Sequence, residues 1–511
     1  VFSTVLSAVI HGMSCKFIHV EADVSDGMPT FSMVGFLSSE VKEAKERVRT
    51  ALGNGGIRLP AKRITINLSP ADLRKEGSSF DLPIAMAILA SFGYITVESL
   101  ANTLIIGELS LNGEINPVHG VLPIVSAAHQ NEITTCVVPI QNAKEGAIIS
   151  GIDVIGIENI NQAIAYFNNI SRISPEYYNI EKLLSENENY DVNYSEIKGQ
   201  EAVKRATEVA VSGMHNILYI GPPGSGKTMI AKRIPTIMPK MSLEESLEVS
   251  KIYSIAGSLP ENQPILLKRP FRSPHHTITT SALAGGGKNP KPGEVSLAHR
   301  GVLFLDEMPE YNKSTLEIMR QPLEDNEVRI SRTSGNYIFP ANFMLAAAMN
   351  PCKCGFYPDL NRCSCTKWNI ERYINKISQP LLDRIDICTE APVIHIKELT
   401  ANTYSESSAD IRKRVEQAHF IQEERYKDTS IRFNAELTSS MLEQYCPLGT
   451  KECQLLEQVF HKLKLSVRAY HRIIKVSRTI ADLDGKEKIT SKQISEAIFY
   501  RAADKKYWIK S

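Results

Sequence analysis

The sequence predicts an α/β protein in three parts: an N-terminal α+β domain, a core built on a parallel sheet, and a C-terminal helical lid. Three observations carry this. Up to about residue 165, strand-like runs such as Ile64–Leu68, 104–107 and 136–138 mix with helical patterns at 41–52 and 82–90. From 194 onward, short apolar runs at 217–220, 302–305 and 343–349 alternate with helices, the pattern of a parallel sheet covered on both faces. Beyond about residue 395, the segments 409–426, 436–445, 452–463, 466–483 and 491–502 all follow a helical period. The corresponding boundaries are 1–166 for the first domain, 167–190 for a polar, Asn/Glu-rich linker, 191–395 for the core and 396–511 for the lid.

The 511 residues carry 58 Lys/Arg against 57 Asp/Glu, with 43% hydrophobic residues, the balance of a globular protein rather than a disordered polyanion or a histone-like basic chain. Residues 1–165 hold 11 Lys/Arg against 16 Asp/Glu, and the remainder 47 against 41, so a polyanionic partner is expected in the second part. The longest apolar stretch, 82–95, is broken by Pro83, Ser91 and Gly93 and falls short of the roughly 20 residues that span a bilayer. No basic segment precedes an apolar run near Val1, so a cytoplasmic protein with no membrane partner is expected. Nine cysteines in such a chain argue against a disulfide framework.

Gly221-Pro222-Pro223-Gly224-Ser225-Gly226-Lys227-Thr228 fits the phosphate-loop pattern, after a predicted strand and opening a helix that continues with Met229. Its backbone N–H groups would curl around a phosphate, Lys227 would neutralise the β- and γ-phosphates of ATP, and Thr228 would offer its hydroxyl to Mg²⁺. The alternative is a plain Gly/Pro turn. The apolar run 302–305 then ends in Asp306-Glu307: Asp306 would share the Mg²⁺ with Thr228, and Glu307 would activate the attacking water. Asn350 closes the strand 343–349, either to touch the γ-phosphate or as a turn residue before Pro351. Arg384, in Pro380-Leu-Leu-Asp-Arg, would reach a neighbouring subunit's nucleotide or pair with Asp383 or Asp386.

Cys352-x-Cys354-x8-Cys363-x-Cys365 offers four thiolates on a short loop, a ligand set for structural Zn²⁺ although the usual pair spacing is two residues. A reduced, redox-sensitive loop is the competing reading. Two insertions interrupt the core. Residues 271–295 carry Arg272, His275, His276, Lys288 and Lys291 among glycines; residues 327–340 read as a hairpin with Arg329 and Arg332 before a Ser334-Gly335 turn. Lys288, Lys291, Arg329 and Arg332 would grip phosphates without reading sequence, or, for the lysines, sit on a solvated loop. Loop packing is expected of His275 and His276 rather than metal binding.

The order of these segments resembles an AAA+ ATPase. Phe271-Arg-Ser-Pro-His-His-Thr277, Gly285-Gly-Gly, the 292–301 segment Pro-Gly-Glu-Val-Ser-Leu-Ala-His-Arg-Gly and Glu327-Val-Arg-Ile-Ser-Arg332 resemble the magnesium-chelatase-like ATPases, and within them the YifB/ComM family, over nearly the whole chain. The resemblance implies a ring homo-hexamer with Arg384 as its finger and Arg468 as the lid arginine that senses ATP, with Arg472 as a competing candidate. It implies hairpins that enter a central pore on branched or single-stranded DNA, and branch migration beside other recombination proteins during natural transformation. One departure is Gln379, where the pattern has Gly.

Residues 1–165 resemble the proteolytic domain of Lon, which uses a Ser-Lys dyad. Ser79 falls on the nucleophile and Leu122 on the lysine, and a serine without a base is a poor nucleophile. A non-proteolytic role in ring assembly or nucleic-acid guidance is therefore expected, with any DNA contact confined to a patch such as Arg58, Lys62 and Arg63. Two other classes stay open: a chelatase motor, which lacks the Lon-like domain and the cysteine cluster, and a protein unfoldase, whose peptide pore composition cannot separate from a DNA pore.

Overall fold

A computed structural model describes residues 1–180, 190–260, 263–333, 335–393, 405–463 and 465–508. Its first unit is a seven-stranded mixed sheet, in the order 30–34, 63–69, 14–25, 2–11, 103–105, 135–139, 153–157. The strands Phe2–His11 and Ser14–Ser25 form a long antiparallel hairpin. In the second of them Ile18, Val20, Ala22 and Val24 are buried while His19, Glu21 and Asp23 alternate with them, the period-two pattern of a strand with one covered face. The helix Asp81–Ser91 is buried at every position, which accounts for the apolar stretch noted in the sequence. Arg47 clamps Asp81 at its first turn with two hydrogen bonds of 2.7 and 2.8 Å.

After the helix Ile160–Phe167 the chain runs without regular structure as far as Asn179. This part of the expected linker is laid against the first unit: Glu176 N–H donates to Val154 O at 2.9 Å, and Tyr178 and Ile180 pack near Leu122, Ile148 and Ile265. Residues 181–189 lie outside the described part.

The core is a five-stranded parallel sheet in the order 271–272, 302–305, 344–349, 217–220, 387–390. Its four-residue runs 217–220 and 302–305 are wholly buried, as a sheet covered on both faces requires. Register matters most for function. Ile220 pairs with Met349 and Leu305 with Ala347, so Gly221, Asp306 and Asn350 emerge together at the carboxyl edge, where open α/β sheets bind ligands.

The C-terminal helices Ser408–Tyr426, Ser439–Tyr445, Thr450–Lys462, Val467–Leu483 and Ser491–Trp508 pack on the core through one continuous apolar cluster that includes Val211, Ile217, Val415, Ile473 and Ile480. The expected lid segments match these helices to within a few residues, except the last, which runs on to Trp508. Among them, His419 is buried with Nε2 donating to Val211 O at 3.1 Å, and burial pulls its pKa from 6.5 down to about 4. The unfolded chain protonates this histidine below about 6.5 and the folded chain only below about 4, so the unfolded state binds more protons in between. Stability therefore falls as pH drops through that window, by at most about 3 kcal/mol from this residue. Thermal melts of wild type and His419→Gln from pH 7 to 4 check this: the substitution is expected to flatten the acid side of the profile.

Candidate nucleotide site and pore hairpins

The phosphate loop leaves the strand Ile217–Ile220 and enters the helix Lys227–Ala231. Gly224 and Gly226 take φ of +76° and +82°, the left-handed conformation that glycine adopts without strain, and this curls the loop. A cavity of about 450 Å³ opens here, lined by Pro223 to Met229, Asp306, Glu307, Met349 and Asn350. The residues expected at the nucleotide thus meet in one place, although they are spread over more than a hundred positions of chain.

Lys227 Nζ donates to the carbonyls of Gly221 and Pro222, both at 2.8 Å, and to Ser225 Oγ and Asn350 Oδ1 at 3.3 Å. A cation folded onto carbonyls at the rim of an anion-shaped loop has the donor set a phosphate needs. Thr228 Oγ1 donates to Asp306 Oδ2 at 2.7 Å, so a hydroxyl and a carboxylate converge on one spot, as a shared Mg²⁺ requires. Burial pulls the Lys227 ammonium down to about 8, while Asp306 and Glu307 pull it back up. A bound phosphate favours the protonated amine, so binding above pH 8 takes up a proton. Nucleotide affinity is expected to fall by up to about tenfold per pH unit above pH 8, and titrations at pH 7, 8 and 9 read this out.

Glu307 follows the strand with φ +49° and ψ +46°, a left-handed conformation unusual for a side chain other than Gly, Asn or Asp. Its N–H donates to Asp306 Oδ1 at 2.9 Å. Strain of this kind, about 1–3 kcal/mol, persists where surrounding structure fixes it and points the carboxylate into the cavity. Sequence reasoning missed its neighbours. His276 Nδ1 lies 3.9 Å from Glu307 Oε2, and its ring sits against His275 and edge-on to Tyr311, at centroid distances of 4.1 and 6.3 Å. The His-His pair packs on the loop as expected, but one member faces the acid at the strand end.

Arg384 and Arg468 do not line this cavity. Arg384 donates to Pro380 O at 2.6 Å and pairs with Glu324, which is not one of the two sequence-adjacent acids considered for it. Those are taken: Asp383 accepts from Gln379 at 3.1 Å, and Asp386 pairs with Arg472 at 3.2 Å and meets His215 at 3.4 Å. Arg468 is exposed and its charge also falls on Glu324. Arg472, by contrast, is partly buried and committed to Asp386 and the carbonyl of Ile385.

The two insertions form adjacent hairpins. Gly285–Gly286 pairs with Lys291–Pro292, leaving Lys288 at the tip, and Glu327–Arg332 pairs with Gly335–Pro340. Val328 and Ile330 face the protein while Arg329 and Arg332 face out, and Arg332 Nε reaches Gly287 O at 3.4 Å, tying one hairpin to the other. Arg329 pairs with Glu327, and Arg272 is fully engaged by Glu294 through two bonds of 2.6 Å, so Arg272 is a structural clamp. Lys288 and Lys291 are exposed.

A second cavity, about 670 Å³, lies between these hairpins and the first domain. Ser78, Ser79, Glu108, His119, Lys291, Thr333 and Tyr337 are on its wall. It is the larger space, but the glycine loop, Lys227, Asp306 and Glu307 all line the smaller one. Ser79 has no hydrogen bond to a lysine or histidine among the described residues. Leu122 is fully buried, with its N–H donating to Glu145 Oε1 at 2.9 Å. The four cysteines come together as expected: one sulfur from each lies within 4.8 Å of all the others.

The family profile described as magnesium chelatase, subunit ChlI, matches residues 193–399, and two companion profiles of that subunit match 20–142 and 405–501. The chain is 40% identical over 501 residues to competence protein ComM of Haemophilus influenzae, covering 98% of this chain and 97% of that protein. It is 40% identical over 498 residues to YifB of Escherichia coli, covering 97% and 96%. A partial match, 29% identical over 129 residues, joins 25% of this chain to 22% of Lon protease 2 of Bacillus subtilis.

Proposed function

Because the chain belongs to the YifB/ComM family of magnesium-chelatase-like AAA+ ATPases, we propose that it is a cytoplasmic, hexameric, ATP-driven DNA motor that promotes branch migration during natural transformation. The observation that carries this reading is a complete set of phosphate-loop and acidic residues at one sheet edge, in the same core as two interlocked hairpins that expose Lys288, Lys291, Arg329 and Arg332. Cationic tips that hold phosphates without reading bases suit a translocating motor. The printed name of the Haemophilus relative links that protein to competence.

In this reading Lys227 leaves its carbonyl partners for the β- and γ-phosphates, and Thr228 and Asp306 hold Mg²⁺. Mg²⁺, when bound, supplies charge stabilisation at the phosphates. Glu307 takes the proton of the attacking water, and Asn350 orients the γ-phosphate end. Arg384 acts on the next subunit's nucleotide, and Arg468 is the lid arginine that senses ATP. The Lon-like domain lacks the dyad base and serves assembly or guidance of the strand. The four thiols suit a structural Zn²⁺.

The test is ATP-dependent movement of a labelled, mobile three- or four-strand DNA junction, with Glu307→Gln as control. Movement by wild type alone is expected. ATP turnover and ring formation without movement overturn the DNA reading in favour of a chelatase-like or protein-remodelling motor. Recombination proteins added to the assay are expected to accelerate movement rather than to be required for it.

A further inference from the structure

The cysteine loop touches the phosphate loop. The strand Met344–Met349 ends at Asn350, which accepts from Lys227, and two residues later Cys352 enters the loop fully buried. Cys352 Sγ lies 3.3 Å from Cys354 Sγ and 3.7 Å from Cys363 Sγ, and the latter two are 3.5 Å apart. Four thiolates around Zn²⁺ at about 2.3 Å stand about 3.8 Å from one another, so these spacings need only a few tenths of an ångström to open. Tyr357 N–H donates to Cys352 Sγ at 3.5 Å, the type of outer hydrogen bond that fixes a thiolate ligand.

Gly355 makes the turn after Cys354, with φ +87°. A β-carbon on Gly355 would lie 2.4 Å from Cδ and 2.9 Å from Cγ of Pro223, the third residue of the phosphate loop. Backbone of the cysteine turn is thus packed directly on the nucleotide loop. On its other side, Cys354, Cys363 and Cys365 pack in the same cluster as Tyr507 and Trp508 of the last lid helix, and the Tyr357 and Tyr507 rings meet edge-on at 6.3 Å. The thiols therefore stand between the nucleotide loop and the end of the lid.

From this juxtaposition we infer that the four thiols bind one Zn²⁺ and that this metal sets nucleotide affinity, by holding Gly355 against Pro223 so that the phosphate loop keeps its binding shape. The inference rests on the phosphate loop being the ATP site. The metal does no chemistry, since four thiolates fill its shell. Its loss frees the cysteine turn, and the loop loses the wall it leans on. Cys365 and Cys363, far from Pro223 in sequence, then matter to nucleotide binding only through the metal.

The experiment uses the full chain, purified reduced. Zinc is counted by atomic emission, and cobalt-loaded chain is read by its absorption spectrum for tetrahedral thiolate ligation. Binding of a fluorescent, non-hydrolysable ATP analogue is then measured, always with Mg²⁺ restored, on zinc-loaded, chelator-stripped and zinc-replenished chain. Gly355→Ala, which keeps all four thiols, and Cys365→Ser are measured beside them.

We expect one zinc per chain, affinity weakened by about tenfold or more on stripping and restored by zinc, and a similar loss in Gly355→Ala with its zinc retained. Absence of zinc together with no thiolate band in the cobalt form overturns the site. Stripped chain and Gly355→Ala that bind as tightly as wild type overturn the coupling alone. Zinc-loaded wild type that binds no nucleotide overturns the phosphate-loop reading and the coupling with it, while the metal site is still judged on zinc content and cobalt spectrum.

Discussion

Glu307→Gln is expected to bind ATP as tightly as wild type and to lose about three orders of magnitude in turnover, the scale of a general base in a positioned site. The substitution keeps the size of the side chain and the 2.9 Å bond from the residue's N–H to Asp306, so the strained left-handed backbone at this position is retained. It removes the carboxylate that accepts the water's proton in the proposed mechanism. It also removes the partner of His276, 3.9 Å away. Single-turnover hydrolysis and equilibrium binding, measured on the same preparation, separate the two effects. Turnover near wild type would take Glu307 out of the chemistry; weakened binding would mean that the acid shapes the loop instead.

Much of this site was legible because its signals are local. The phosphate loop is eight consecutive residues flanked by a strand and a helix, and the 302–305 run announces its own end with two acids. Parallel pairing then fixes the rest: once 217–220 and 344–349 are neighbours in register, Asn350 has to stand beside Gly221. What was not legible is what depends on side chains meeting across the fold. No spacing rule places His276 at Glu307 or Glu324 at Arg384, since each contact joins two loops or short helices.

The N-terminal hairpin was overlooked for a different reason. Its alternation from Ile18 to Val24 is regular, but the buried residues are separated by His, Glu and Asp, which mask a strand when apolar runs are sought. The helices of the lid were the easiest elements to read, because four of the five run for three or more turns and bury apolar residues in one cluster. The extended segment before Asn179 shows the converse. Polar composition predicted a linker, yet two residues, Tyr178 and Ile180, suffice to lay its end on an apolar patch.

Arg384→Ala is expected to leave ATP binding mostly intact and to lower hydrolysis by about three to five orders of magnitude, the range of an arginine acting on transition-state charge. The geometry argues for action between subunits. In its own chain the guanidinium is held against Glu324 and the Pro380 carbonyl, away from the cavity lined by Lys227 and Glu307. The proposed head-to-tail ring would repeat one interface, so that the arginine of each subunit would meet the nucleotide edge of the next. Mixing decides the matter. A site in a ring of Arg384→Ala and Glu307→Gln subunits is whole only where an intact Glu307 faces an intact Arg384. With equal, random mixing that holds at about a quarter of sites, so the mixture should recover up to about a quarter of wild-type turnover although neither parent turns over. A mixture as inactive as its parents would place both residues in the same site of one chain. The ion pair to Glu324 would then have to break within the subunit, and Glu324→Gln would raise turnover of the isolated chain.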